Sequence, residues 1–113
     1  MTDDRIVTLT NRRQFQTFLL DNNHFIIKAC AEWCGPCKKC SPFFMELFNK
    51  NLPEKIKLIK LDVDDGEDLA HYLRIKSMPT FIHYHNGEPK EICNSSSQKD
   101  IINFFQKILS YHS

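Results

Sequence analysis

No stretch of this chain is apolar for more than about three residues, so no segment is built to span a bilayer. An excess of one charge is missing too. Fifteen Lys and Arg face fourteen Asp and Glu, a net charge of +1, which argues against a nucleic-acid binder working through a basic face. The start, Met1-Thr-Asp-Asp-Arg5, is acidic and polar rather than basic then apolar, so no secretory signal is expected and a reducing, cytoplasmic setting is. Repeats and long linkers are absent, and Ser95-Ser96-Ser97 is the one low-complexity stretch. What is present is a balanced composition, 42% hydrophobic and 26% charged over 113 residues. That is the expectation for one globular domain over residues 1–113 with a core of its own.

A disulfide framework is also missing. The five cysteines, Cys30, Cys34, Cys37, Cys40 and Cys93, are odd in number, and three are spaced by two residues. In a reducing compartment such a cluster points to redox chemistry or a metal. A metal or iron–sulfur site needs four ligands, and the fourth local cysteine is lacking: Ser41 precedes Pro42 instead. The histidines, His24, His71, His83, His85 and His112, are scattered. His83 and His85 share a strand face and read as a surface pair. The acidic run Asp62 to Asp68 lacks a glutamate at the twelfth loop position and reads as a solvated turn, not a calcium loop. No metal and no organic cofactor is expected.

The patterning gives a β-α-β-α-β-α-β-β-α order. Val7–Leu9 reads as a short strand. Thr10 or Asn11 caps a helix over Arg12–Leu20. Phe25–Ala31 is a strand buried on both faces. A helix over Gly35–Asn49 turns Phe43, Phe44, Leu47 and Phe48 inward, with Pro42 as a kink. Ile56–Val63 is a second core strand, and a short helix covers Leu69–Arg74. Strand Thr80–His85 turns at Asn86-Gly87 into Glu91–Cys93. Ser97 caps a last helix carrying Ile101, Phe104, Phe105, Ile108 and Leu109 on one stripe. Alternating elements imply parallel strands and the closing hairpin an antiparallel pair, so an α/β chain with one mixed sheet between helices is expected.

The chemistry sits in Trp33-Cys34-Gly35-Pro36-Cys37, between a buried strand and a helix. Two cysteines three apart on a first helical turn can close a disulfide without moving the backbone. Cys34 occupies the helix start, where free amides and the macrodipole stabilise an anion. Gly35 is expected to permit a tight approach, and Pro36 suits the first turn. Cys37, one turn deeper, is expected to be more buried and a poorer nucleophile. Cys34 would then attack a partner disulfide and Cys37 resolve the mixed disulfide.

Ala31-Glu32-Trp33-Cys34-Gly35-Pro36-Cys37-Lys38 resembles the active-site signature of the thioredoxin family. The resemblance runs nearly end to end, through Pro42, Lys60, Met78-Pro79-Thr80 and the Asn86-Gly87 hairpin. It implies the thioredoxin fold, a three-layer α/β/α sandwich around a mixed five-stranded sheet. It also implies a protein-disulfide reductase acting on disulfide-containing proteins, with electrons from an NADPH-dependent thioredoxin reductase or glutathione. Pro79 would be cis beside the redox pair, and the Met78 backbone would pair with extended substrate. Trp33, Met78, Pro79 and Thr80 would form the docking surface.

The chain departs from that family at Lys28, where thioredoxins usually bury an aspartate behind the second cysteine. Lys60 matches the lysine near that aspartate. With both inward and charged, Lys28 and Lys60 would favour thiolates and make the pair more oxidising, with slower resolution; the alternative is that Lys28 reaches solvent and shifts nothing. Cys30, at a common tryptophan position, reads as a small buried hydrophobe, and Cys40 as a passive half-buried thiol. Cys93 falls near a family glycine that lets substrate approach, where a side chain would narrow or reshape the groove or offer a third reactive thiol. A non-catalytic thioredoxin-fold binding module is the alternative that Lys28 keeps open.

Overall fold

The computed structural model describes residues 4–111; residues 1–3 of the polar start and His112 lie outside them. The elements run β1 (Ile6–Thr8), α1 (Arg12–Asp21), β2 (His24–Cys30), α2 (Gly35–Asn51), β3 (Lys57–Asp62), α3 (Glu67–Tyr72), β4 (Thr80–His85), β5 (Glu88–Cys93) and α4 (Gln98–Leu109). This is the expected order.

Local signals set most of the ends. The Asn11 side chain accepts the Gln14 N–H at the start of α1, and the Ser97 hydroxyl accepts the Asp100 N–H at the start of α4. Asn86 and Gly87 both have left-handed φ, 55° and 81°, as a tight hairpin demands. Pairing therefore resumes at once, and β5 begins at Glu88 instead of Glu91. Pro89 is tolerated there because β5 is an edge strand with a register shift opposite His83 and Tyr84. Helix α3 also starts earlier than expected. Glu67 and Asp68 fill its first turn, where acids oppose the dipole, and Asp68 accepts from the Arg12 guanidinium at 2.9 Å and the Arg12 N–H at 2.8 Å.

The sheet order is β1-β3-β2-β4-β5, with β1, β3 and β2 parallel and β4 and β5 antiparallel to their neighbours. Strand β2 lies at its centre and is buried on both faces. Phe25, Ile27 and Ala29 join the core under α1 and α3, while Ile26 joins Leu58, Phe81 and the side chains of α2 and α4. On that second face Lys28 and Cys30 follow Ile26 at the two-residue repeat of a strand. The sheet thus turns from apolar to polar just where α2 begins.

Helix α2 runs unbroken through Pro42, and its inward stripe is Cys37, Cys40, Phe44 and Phe48. Phe43 and Leu47, expected to point inward, are half-buried at its flanks, because the 3.6-residue repeat from Cys37 selects the other set. Phe44 stacks on Phe81, with centroids 4.4 Å apart and planes 15° apart. Ile101, Phe104, Phe105 and Ile108 close this side from α4.

The histidine reading needs correcting. Strand pairing brings His24 and His83 together inside the fold, both buried, with Nε2 atoms 2.7 Å apart. His85 and Tyr111 complete a ring cluster, 4.9 Å from His24 and 5.0 Å from His83 respectively. Among the described residues no group of three or more His, Cys, Asp or Glu is placed to hold a metal ion, and no helix is long and apolar enough to cross a membrane.

Candidate active site

Residues 31–33 carry the chain from the end of β2 to the start of α2. Cys34 is the N-cap: its backbone is extended, its N–H donates to the Ala31 carbonyl at 3.1 Å, and its carbonyl accepts from the Lys38 N–H at 3.2 Å. Pro36 lies in the first turn, where an amide would have no helical acceptor. Gly35 differs from expectation. A Cβ there would meet nothing within 4 Å, and its backbone is not left-handed. Its side faces open space, so no close approach inside the fold requires glycine.

All five thiols are free. Cys34 and Cys37 are 5% and 3% exposed, so burial alone does not separate them as expected. Their surroundings do. The Cys34 thiol donates to the Met78 carbonyl at 3.7 Å, across the cis Met78–Pro79 peptide segment. The Cys37 thiol is pushed far up from its ordinary pKa, first by burial, then by hydrogen bonding with the Cys34 and Cys30 sulfurs and by negative charge on Cys30. The Ala31 backbone hydrogen bond opposes this.

Trp33 is 66% exposed, and its indole N–H donates to Asp64 Oδ2 at 2.8 Å. The acidic run is therefore more than a solvated turn. Asp62 Oδ1 accepts the N–H groups of Asp64 and Asp65 at 2.9 and 3.2 Å, and the turn so shaped presents Asp64 to the indole. On the other side Met78 is half-exposed and Pro79 buried. Thr80 donates to the Ser77 carbonyl at 2.6 Å and lies 3.1 Å from the Asn94 carboxamide. Neither Asp64 nor Asn94 carries a sequence signal of its own, since each is selected by a partner far along the chain.

Behind the thiol pair, β2 and β3 are in register with Lys28 opposite Lys60 and Cys30 opposite Asp62. Lys28 is 8% exposed, and its ammonium donates to Cys30 Sγ at 3.6 Å. Lys60 is exposed. The expectation of two inward lysines is thus met by one, because the second strand's side chain reaches the rim. These residues, with Cys37 and Met45, line a cavity of about 500 Å³. Cys30 is half-buried rather than a core hydrophobe. Cys40 is in the core, its thiol donating to the Cys37 carbonyl at 3.6 Å. Cys93 is buried in the core with apolar side chains of α2 and α4, its thiol donating to the Ser95 carbonyl at 3.6 Å.

The thioredoxin family model matches residues 6–107. The chain is 35% identical over 97 residues to thioredoxin 1 of Plasmodium falciparum, covering 83% of this chain and 91% of that protein. A solved thioredoxin structure from the same organism superposes with a TM-score of 0.78 at 31% identity, covering 94% of this chain and 99% of that one. A Schistosoma mansoni thioredoxin does so with a TM-score of 0.78 at 30% identity, covering 95% of each chain. With the mixed five-stranded sheet and the paired thiols at the mouth of α2, these likenesses establish that the chain belongs to the thioredoxin family and is a thiol–disulfide oxidoreductase.

Proposed function

We propose that this chain reduces or exchanges protein disulfides through a reversible Cys34–Cys37 bridge. Cys34 attacks one sulfur of a client disulfide and forms a mixed disulfide; the departing client sulfur leaves as a thiolate. Cys37 then attacks Cys34, closing the internal bridge and releasing the second client thiolate. Two electrons pass from the dithiol to the client. The observation that carries this reading is the environment of Cys34, at the open end of α2 beside the exposed Trp33 and the Met78 carbonyl. Trp33, Met78, Pro79 and Thr80 are the client-facing surface, and a client segment laid along Met78 would present its disulfide to Cys34. Gly35 and Pro36 shape the turn, and Lys28 supplies positive charge behind it.

Clients are disulfide-containing proteins in a reducing compartment, the cytoplasm on the sequence reading. Re-reduction comes from an NADPH-dependent thioredoxin reductase or from glutathione. Turbidity from insulin reduction tests the scheme. The native chain should accelerate it with dithiothreitol as donor, Cys34→Ser should abolish the acceleration, and Cys37→Ser should accumulate a mixed disulfide. Full activity in Cys34→Ser would overturn the assignment.

A further inference from the structure

We infer that Cys30 is the proton acceptor for Cys37: a third sulfur, set beside the Lys28 ammonium, that takes the Cys37 proton in the resolving half of the exchange. This rests on the roles of Cys34 and Cys37 proposed above.

Only a thiolate attacks a disulfide, and burial holds Cys37 in its protonated form at neutral pH. Cys37 packs in one small cluster with Ala31 and Cys34, and Cys30, Val63 and Met78 pack against that cluster. In the mixed disulfide the Cys34 sulfur is bonded to the client, and a backbone amide takes up no proton. Cys30 is the member of this set able to accept one. Its sulfur lies 3.6 Å from the Lys28 ammonium, and Lys28 is 8% exposed. That places a cation, largely out of water, directly beside the acceptor sulfur. Cys30 also lines the cavity of about 500 Å³ with Lys60 and Asp62, which gives the transferred proton a way to solvent. Cys40 has no such outlet, because it is packed among the core side chains of α2 and α4.

The step balances without an added reagent. Cys30 thiolate takes the proton of the Cys37 thiol and becomes a thiol. The Cys37 thiolate attacks Cys34 Sγ, the Cys34–Cys37 bond forms, and the Cys34–client bond breaks. The client sulfur leaves with the electron pair and is protonated from water. Cys30 returns its proton to water through the cavity.

Stopped-flow reaction with an aromatic disulfide, dithiobis-nitrobenzoate, reads the two halves separately. A first, reagent-dependent release of nitrothiobenzoate reports attack by Cys34. A second, reagent-independent release reports attack by Cys37. In Cys30→Ala the second phase should slow about 100-fold near neutral pH, the low end of what positioned proton transfer contributes, and the deficit should shrink as hydroxide replaces the acceptor. Lys28→Met should slow the same phase, and Cys30→Asp, which restores an acceptor beside Lys28, should recover most of it. Cys30→Ser serves as a second variant of near-native shape. A second phase unchanged in both Cys30→Ala and Cys30→Ser, or slowed equally at every pH and not recovered by Cys30→Asp, would overturn the inference. If instead Cys34→Ser still showed the first phase, the roles of Cys34 and Cys37 would be at fault rather than that of Cys30.

Discussion

Acid should unfold this protein through its buried histidine pair, far from the thiols. His24 and His83 touch through their Nε2 atoms at 2.7 Å, and neither Nδ1 has a hydrogen-bond partner among the described residues. Burial, then the charges of His85 and Lys55, holds His24 down to about 4; burial, then His24, His85 and Lys90, does the same for His83. Both start from 6.5 when unfolded. The unfolded chain therefore binds more protons between those values, and stability falls as pH drops through the interval. A depression from 6.5 to about 4 corresponds to roughly 3 kcal/mol per ring, of which roughly 2 kcal/mol is lost on going from about pH 7 to about pH 5. The pair thus removes roughly 3–4 kcal/mol, a large share of the 5–15 kcal/mol typical of a domain. Asp68 and Asp100 do not contribute in that window, since they are held below their ordinary range, Asp68 by Arg12 and Asp100 by Ser95 and Ser97. Urea unfolding at the two pH values, for the native chain and for His24→Phe/His83→Leu, measures the effect. The double variant should keep its midpoint far better on acidification. Equal losses in the two proteins, or imidazole resonances of His24 and His83 titrating near 6.5, would refute the reasoning.

Other positions give sharper local tests. Phe44→Ala removes a ring stacked on Phe81 and 5.0 Å from Phe105, and should cost about 3–5 kcal/mol by denaturant unfolding. Gly66→Ala should cost about 1–3 kcal/mol, because its Cβ would lie 2.5 Å from Leu61 Cδ1 and 3.2 Å from the Thr10 Cα. Trp33→Ala should leave stability within about 0.5 kcal/mol, since the ring is exposed, yet raise KM for a protein disulfide several-fold if the ring meets clients as proposed. Lys28→Asp replaces a cation behind the thiols with an anion; the Cys34–Cys37 couple should become more reducing by about 30 mV or more, read by equilibration with glutathione. An unchanged potential would show that the Lys28 charge does not reach the pair.

Much of this molecule was legible in one dimension because the relevant forces are local. The repeat of Phe and Ile residues on α4, the caps Asn11 and Ser97, and the Asn86-Gly87 turn act within one helical or hairpin turn, where backbone geometry and neighbouring side chains suffice. The proposed redox pair was legible for the same reason: Cys34 and Cys37 sit at the start of α2, whatever the rest of the fold does. Contacts between strands and loops were not. The Lys28–Cys30 contact was missed although the two residues are neighbours on one strand face, because whether Lys28 turns inward depends on α2 and β3 closing over it. The indole of Trp33 meets Asp64, the Cβ side of Gly66 meets Thr10 and Leu61, and His24 meets His83 through register between segments remote in sequence. Such pairings depend on which strand lies beside which and how each is shifted, and composition or periodicity carries no record of that. Folding supplied those neighbours, and with them the surroundings that distinguish one cysteine or histidine from another.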